Sequence, residues 1–300
     1  MPEPEQVPVT IVPTIGSALR ALTAVLTRAG IEGAGNDVRR LMAAVLGVPG
    51  ASVLSSPERA LTSGQFEMLR HHVERRARHE PVSRILGERD FYGRTFAISP
   101  ATLDPRPDSE TLIAAALDIV REEGWRGKPL RILDVGTGTG CLLLTLLAEL
   151  PHARGTGTDV SAAALDVAGA NAHRLGLAQR AIWQQADAIE ISLGRFDMLV
   201  ANPPYVRTAE IAHLDPEVRN FDPHLALDGG ADGLGLYRRL IPGIPSVIPN
   251  AWAVLEVGHD QADAVMALLS CGIPGMDSTR LRIHRDVAGK RRCVAVKTRG

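Results

Sequence analysis

The sequence predicts an α/β protein: a doubly wound, mostly parallel sheet preceded by a small N-terminal helical domain and a β-hairpin linker. Three observations carry that expectation. From Leu130 onward, short β-type runs (LRILDV, GTGTDV, AIWQQA, FDMLVAN, AWAVLEVG) alternate with helical stretches such as SAAALDVAGANAHRLG, the alternation expected of βαβ units. Residues 15–80 repeat with helical periodicity alone, in SALRALTAVLTRAG, NDVRRLMAAVLG and TSGQFEMLRHHVERRARHE, separated by glycine and proline. Between them, RILGERDFYGRTFAIS sets two short apolar runs around Tyr92-Gly93-Arg94, a hairpin pattern. The boundaries read as a disordered tail over residues 1–14, a helical domain over 15–82, the hairpin linker over 83–104 and the sheet domain over 105–300. The closing runs LRIHR and CVAV can pair as a hairpin at one edge of the sheet.

A chain of 300 residues is long enough for two cores. Its formal net charge of −1 encodes no global pull toward nucleic acid or an anionic membrane. Cys141, Cys271 and Cys293 are far apart and form no C-x-x-C pair, which argues against a zinc site or a disulfide framework and fits a reducing cytoplasm. Residues 1–14 lack the basic region and apolar stretch of a signal peptide, and no apolar run approaches the ~20 residues needed to span a bilayer. His71, His72 and His79 have no partners at metal-ligand spacing, so no metal is expected. The basic run from Arg70 to Arg76 and the basic C-terminus from Lys290 read as solvated faces before they read as nucleic-acid contacts.

The chemistry begins at the first strand of the sheet domain. Leu130 to Val135 is a buried-strand pattern that includes Asp134 and runs directly into Gly136-Thr137-Gly138-Thr139-Gly140 before an apolar helix. Such a turn needs glycine where the backbone takes unusual φ values or where a ligand approaches closely, and the helix start adds N–H groups and a positive dipole end. A dinucleotide fingerprint G-x-G-x-x-G would need glycine at position 141, which is Cys141. The G-x-G-x-G form favours S-adenosylmethionine, with S-adenosylhomocysteine as product. Asp159 closes the second strand, where an acid can accept hydrogen bonds from both ribose hydroxyls. Asp187 follows the third strand, placed for the adenine amino group, with Ala188 against the ring. Cys141 reads as a small packing residue.

The fourth strand, FDMLVA, ends in Asn202-Pro203-Pro204-Tyr205, at the carboxyl edge where doubly wound sheets bind ligands. Two prolines stiffen this loop. An amide or exocyclic nitrogen is a poor nucleophile because its lone pair is delocalised, so its hydrogens must be drawn away from the methyl donor. The Asn202 side-chain oxygen and the Pro203 carbonyl can accept them, while Tyr205 packs on the planar face of the acceptor. Asn202, Pro203 and Tyr205 are therefore the candidate catalytic residues, and Asn202 to Tyr205 the candidate acceptor loop.

Together these segments resemble the release-factor glutamine N5-methyltransferases. The likeness extends from about residue 15 to the C-terminus and includes Glu80-Pro81-Val82, Ile85-Leu86-Gly87, Pro105-Arg106-Pro107-Asp108-Ser109-Glu110, Gly136 to Gly140, Asn202 to Tyr205, Glu217-Val218-Arg219, Ala226-Leu227-Asp228-Gly229-Gly230, Asp232-Gly233-Leu234, Glu256-Val257-Gly258 and Arg285 to Gly289. The resemblance implies a seven-stranded Rossmann-like methyltransferase domain. It implies methyl transfer to the side-chain amide of the glutamine in the Gly-Gly-Gln motif of peptide chain release factors, by a protein whose helical domain helps hold that factor; a monomer with no stable nucleic-acid partner is expected. It also implies cofactor contacts at Gly136, Gly138, Gly140, Asp159, Asp187 and Asn202, with Arg106 in a cover over the pocket; Thr137, Thr139 and Ala188 complete the candidate set. Asp104 and Ala188 depart from the family's usual apolar and aromatic residues, respectively. Two other readings stand beside it: a nucleic-acid exocyclic-amine methyltransferase, which should flip a base into the pocket, and a non-catalytic S-adenosylmethionine-binding protein, for which the acceptor loop has no purpose.

Overall fold

A computed structural model describes residues 13–188 and 194–299. The chain divides into two compact units, one ending at Leu86 and the other beginning at Gly87. Of the expected N-terminal tail, residues 1–12 lie outside the described residues; Pro13 and Thr14 lead directly into the first helix.

The first unit consists of helices α1 (Ile15–Arg28), α2 (Ala34–Leu46), α3 (Ser63–Arg76) and the short α4 (Val82–Leu86). Ile15, Ala18, Leu22 and Leu26 recur every three or four residues along α1, so one face is apolar and buried. It packs with Val38, Leu41, Met42, Leu69 and Val73. Thr62 and Gln65 form a capping box at the start of α3, each side chain accepting a hydrogen bond from the other's backbone N–H. The basic run of α3 is largely spent inside this unit. Arg76 is buried against Asp37 at 2.7 Å, Arg75 forks onto Glu80 at 2.8 and 2.5 Å, and Arg70 pairs with Glu67. Residues 83–86, read from sequence as part of the hairpin linker, are instead the helix α4. Its five residues are too few to show a period, yet Val82 and Ile85 join the helical core.

The second unit opens with the hairpin β1 (Glu88–Phe91) and β2 (Arg94–Ala97). Phe91 pairs with Arg94, leaving a two-residue turn in which Tyr92 and Gly93 both take positive φ, the geometry that matches strand twist. Phe91 and Phe96 meet edge to face at 6.3 Å and belong to the core of this second unit, so the hairpin is an integral part of it. After α5 (Glu110–Glu122) follow β3 (Arg131–Val135), α6 (Cys141–Glu149), β4 (Arg154–Asp159), α7 (Ala162–Arg174), β5 (Ala181–Gln185) and β6 (Met198–Ala201). The short helices α8 (Pro216–Arg219), α9 (Gly235–Leu240) and α10 (Ile244–Val247) precede β7 (Trp252–Glu256), α11 (Ala262–Gly272), β8 (Leu281–Arg285) and β9 (Arg291–Lys297).

The seven strands form one sheet in the order β5-β4-β3-β6-β7-β9-β8. Pairing is parallel from β5 to β7, and β9 runs antiparallel between β7 and β8. The two closing runs thus pair as expected, with the last strand inserted inside the edge. Both faces of the sheet are covered. Ile132, Met198, Val200 and Val254 face one core, and Leu133, Val135, Leu199 and Leu255 face the other, which is why these strands read as near-continuous apolar runs. Strand order reverses between β3 and β6, where a crevice opens beyond the carboxyl ends of the strands. Among the described residues no helix is long and apolar enough to cross a membrane.

Close packing beneath that crevice can be tested at two glycines. A Cβ at Gly157 on β4 would lie 2.4 Å from the Trp183 ring and 2.9 Å from the Thr137 hydroxyl, whereas one at Gly169 on α7 meets nothing nearer than 3.8 Å. Gly157→Ala is expected to destabilise the protein by about 1–3 kcal/mol, and Gly169→Ala to stabilise it by about 0.5–1 kcal/mol. Urea unfolding followed by tryptophan fluorescence measures both, and equal effects would contradict the packing.

Candidate active site

The glycine loop leaves β3 at the switch point. Gly136 and Thr137 both donate backbone hydrogen bonds to the Thr158 carbonyl, at 2.8 and 2.9 Å, so the turn is fixed to β4. Gly136 and Gly138 have φ of 71° and 55°, and a Cβ built on either meets nothing within 4 Å. Their bare faces open onto a cavity of about 490 Å³, a size suited to a small-molecule ligand. Gly140 differs: a Cβ there would lie 3.0–3.2 Å from Trp183, Leu144 and Ala168, so it serves helix packing and is not part of the cavity wall.

Polar side chains hold the loop from behind. Asp134 is fully buried and accepts a hydrogen bond from the Thr137 hydroxyl at 2.6 Å through Oδ2, while its Oδ1 has no partner among the described residues. Burial pushes the Asp134 carboxyl up to about 7, while the Thr137 hydrogen bond works against the rise. Asn171, also fully buried, donates from Nδ2 to the carbonyls of Thr139 and Ala97 and accepts from the Ala97 N–H, tying the loop to the hairpin. Cys141 borders the cavity, but burial pushes its thiol up to about 12, leaving it neutral and unreactive.

Asp159 ends β4 at the cavity wall. One of its carboxylate oxygens accepts from the Gly138 N–H at 2.9 Å and the other from the Ser161 N–H at 3.0 Å. Each oxygen keeps lone-pair capacity for a ligand hydroxyl. Asp187 and Ala188 border the cavity as well, Asp187 paired with Arg239 at 2.5 Å and Ala188 at φ 58°. Arg106 borders it from the segment before α5, its guanidinium on the buried Asp222 carboxylate, which also accepts from the Asp104 N–H at 3.2 Å. Asp104, the departure from the family pattern, is buried with its carboxylate 3.6 Å from the Arg89 guanidinium.

The acceptor loop leaves β6, the neighbour of β3. Asn202 and Pro204 border the cavity; Pro203 and Tyr205, both named from sequence, do not. Asn202 Nδ2 donates to Ser109 Oγ at 3.1 Å, which turns Oδ1 the other way. Among the described residues, neither Asn202 Oδ1 nor the Pro203 carbonyl accepts a hydrogen bond. The Tyr205 carbonyl is held by Gln261 at 2.9 Å. Its phenol is pushed well above the usual tyrosine value by burial and by the Glu256 carboxyl, so it stays neutral. Gly229 supports the loop from the next segment: a Cβ there would lie 2.8 Å from the Pro204 carbonyl. Ser109, Asn171, Asp222 and Glu256 were given no role from sequence. The Gly229-Gly230 pair was the one local signal that a backbone runs close by.

Residues 17–87 match the family model described as PrmC N-terminal domain, and residues 117–215 the one described as methyltransferase small domain. The release factor glutamine methyltransferase of Bradyrhizobium diazoefficiens is 42% identical over 285 residues, 95% of either chain. That of Rhodospirillum rubrum is 44% identical over 272 residues, 90% of this chain and 81% of that one. This chain belongs to the release factor glutamine methyltransferase family. Its fold also recurs in the hMettl16 catalytic domain solved with a MAT2A 3'UTR hairpin, at a TM-score of 0.55 and 16% identity over 70% of this chain and 77% of that one. With the family known, the seven-stranded Rossmann-like sheet and the methyltransferase class both stand.

The buried carboxyl at Asp134 gives a measurable pH dependence. Its folded value lies above its unfolded one, so the stability it contributes is present at low pH and is lost as pH rises through about 7. Between about pH 5 and pH 8, Asp134→Asn should gain on the wild type by roughly 2–3 kcal/mol in urea unfolding. A difference that stays constant over that range would contradict the raised value.

Proposed function

We propose that this protein transfers a methyl group from S-adenosylmethionine to the side-chain amide nitrogen, N5, of the glutamine in the Gly-Gly-Gln motif of peptide chain release factors. The observation that carries this reading is the pair of acceptors that no described residue occupies, Asn202 Oδ1 and the Pro203 carbonyl, in the loop directly after β6, the strand paired with β3. The names of the relatives identify the release factor as the substrate class.

The cavity fits the methyl donor in three ways. Gly136 and Gly138 offer bare backbone, Asp159 offers a carboxylate for ribose hydroxyls, and Asp187 with Ala188 offers a polar atom and an apolar surface for an adenine. When bound, the donor supplies an electrophilic sulfonium methyl. The chain's own contribution is orientation. Asn202 Oδ1 and the Pro203 carbonyl accept the two amide hydrogens, turning the nitrogen's lone pair away from its carbonyl and toward the methyl. Pro204 borders the cavity and confines the planar amide, while the buried Tyr205, its carbonyl held by Gln261, keeps the loop in place. As the N–C bond forms, the S–methyl bond of the donor would break with S-adenosylhomocysteine as leaving group, one N–H proton is lost to water, and no strong base on the protein is needed. We further infer that the helical domain over residues 15–82 helps hold the release factor, and that the enzyme works on it as a cytoplasmic monomer.

The test offers labelled donor to a release factor, to its Gly-Gly-Gln to Gly-Gly-Ala variant, to DNA and to ribosomal RNA. Label on the wild-type factor alone is the expected result, and label on nucleic acid alone would overturn the reading. Asn202→Ala is expected to keep the fold and much of the S-adenosylhomocysteine affinity in calorimetry while turnover falls about 10²-fold or more. Near-normal turnover would remove Asn202 from its role.

A further inference from the structure

Behind the acceptor loop lies a carboxyl that the proposed reaction leaves without a task. Glu256 ends β7, and the parallel register of Ala201 with Leu255 sets it beside Asn202. It is 1% exposed and lies outside the cavity wall. Ser109, also buried, stands between elements: its Oγ accepts from Asn202 Nδ2 at 3.1 Å, and the polar groups of both side chains favour the ionised Glu256 carboxyl against its burial. Glu256 Oε2 has no fixed partner among the described residues, so the carboxyl keeps unused acceptor capacity.

These contacts have a direction. A serine hydroxyl carries one proton. Having accepted from Asn202, Ser109 has that proton to give, and a carboxylate can only accept. With the serine proton turned to the Glu256 carboxyl, the relay from Asn202 Nδ2–H through Ser109 Oγ–H to Glu256 points inward. The flipped carboxamide would put Oδ1 on Ser109 and draw the serine proton away from a buried carboxylate, at high cost in a low-dielectric interior. It would also present N–H groups to the N–H groups of the acceptor.

Building on the function proposed above, we propose that Glu256 is a positioning residue for methyl transfer: acting through Ser109, it holds the Asn202 carboxamide with Oδ1 toward the acceptor amide. The direction is set only while Glu256 is ionised, since a protonated carboxyl can donate to Ser109 and reverse the chain. Burial pushes this carboxyl up to about 7. The groups facing it are Arg292 and Cys293 on β9, Asp108 in the turn before α5, Tyr205 in the acceptor loop, Tyr237 on α9 and Cys141 on α6. Both tyrosines and both cysteines are themselves pushed upward by burial and stay neutral through this range. Activity should therefore rise with pH as Glu256 ionises.

The experiment compares full-length wild type, Glu256→Gln, Ser109→Ala and the double variant for kcat and KM on a release factor across pH, with S-adenosylhomocysteine affinity by calorimetry. Glu256→Gln preserves shape but can donate as well as accept. It is expected to lower kcat about 10- to 100-fold, to leave S-adenosylhomocysteine affinity unchanged, and to flatten the rise in kcat near neutral pH. Ser109→Ala should act in the same direction, and the double variant should be no worse than the worse single one, because both cut one chain. Wild-type kcat and pH profile in Glu256→Gln would overturn the proposal, as would losses in the two singles that simply add. If Glu256→Gln does not fold, Ser109→Ala alone decides: unchanged kcat overturns the proposal. Should the wild type leave the release factor unmethylated, the function fails; should it methylate and the variants match it, only the role of Glu256 fails.

Discussion

The parallel register of the central strands is the constraint on which the site depends. Val135 stands level with Thr158 on one side and Ala201 on the other, and Ala201 stands level with Leu255. One residue further along, these strands deliver Gly136, Asp159, Asn202 and Glu256 to a common edge. Neighbouring strands lie about 4.8 Å apart, so residues distant in sequence arrive within reach of one ligand or of one another. A slip of one residue in any pair would turn each strand's side chains to the opposite face, carrying Asn202 or Asp159 away from the crevice.

Behind that edge a second layer consists of buried polar groups that tie the loops down. Asp134 holds Thr137, Asn171 holds the Thr139 carbonyl and the hairpin edge, Asp222 holds Arg106 and the Asp104 backbone, and Gln261 holds the Tyr205 carbonyl. Each fixes a short stretch of loop that lacks a regular ladder of its own. Leaving one of these groups unpaired in the interior would cost about 1–3 kcal/mol, so the loops are held in one arrangement before any ligand arrives. Such preorganisation matters for a weak nucleophile, whose rate depends on geometry more than on acid–base strength.

Much of this was legible in the sequence because it is local. The glycine loop, Asp159 and the Asn202 loop each sit directly at the end of an apolar strand run, so pattern and position coincide. What stayed hidden is what acts across long separations. Asn171 reaches Ala97 over 74 residues and Asn202 reaches Ser109 over 93. Glu256 reads in sequence as the polar end of one more buried strand, and its burial beside Asn202 follows only from the sheet order. Gly140 could not be told from Gly136 and Gly138, because packing against Trp183 and facing a ligand both call for glycine. Helix α4 was lost to the linker because five residues show no period.

The central claim, that one sheet edge holds an amide between Asn202 and Pro203 beside a methyl donor in the glycine loop, is tested most directly by a crystal structure with a non-reactive sulfonium analogue and a Gly-Gly-Gln peptide. The account predicts the glutamine amide hydrogens on Asn202 Oδ1 and the Pro203 carbonyl, with its nitrogen roughly 3–3.5 Å from the methyl position. A glutamine bound elsewhere, or an Asn202 carboxamide turned with Nδ2 toward the peptide, would contradict it.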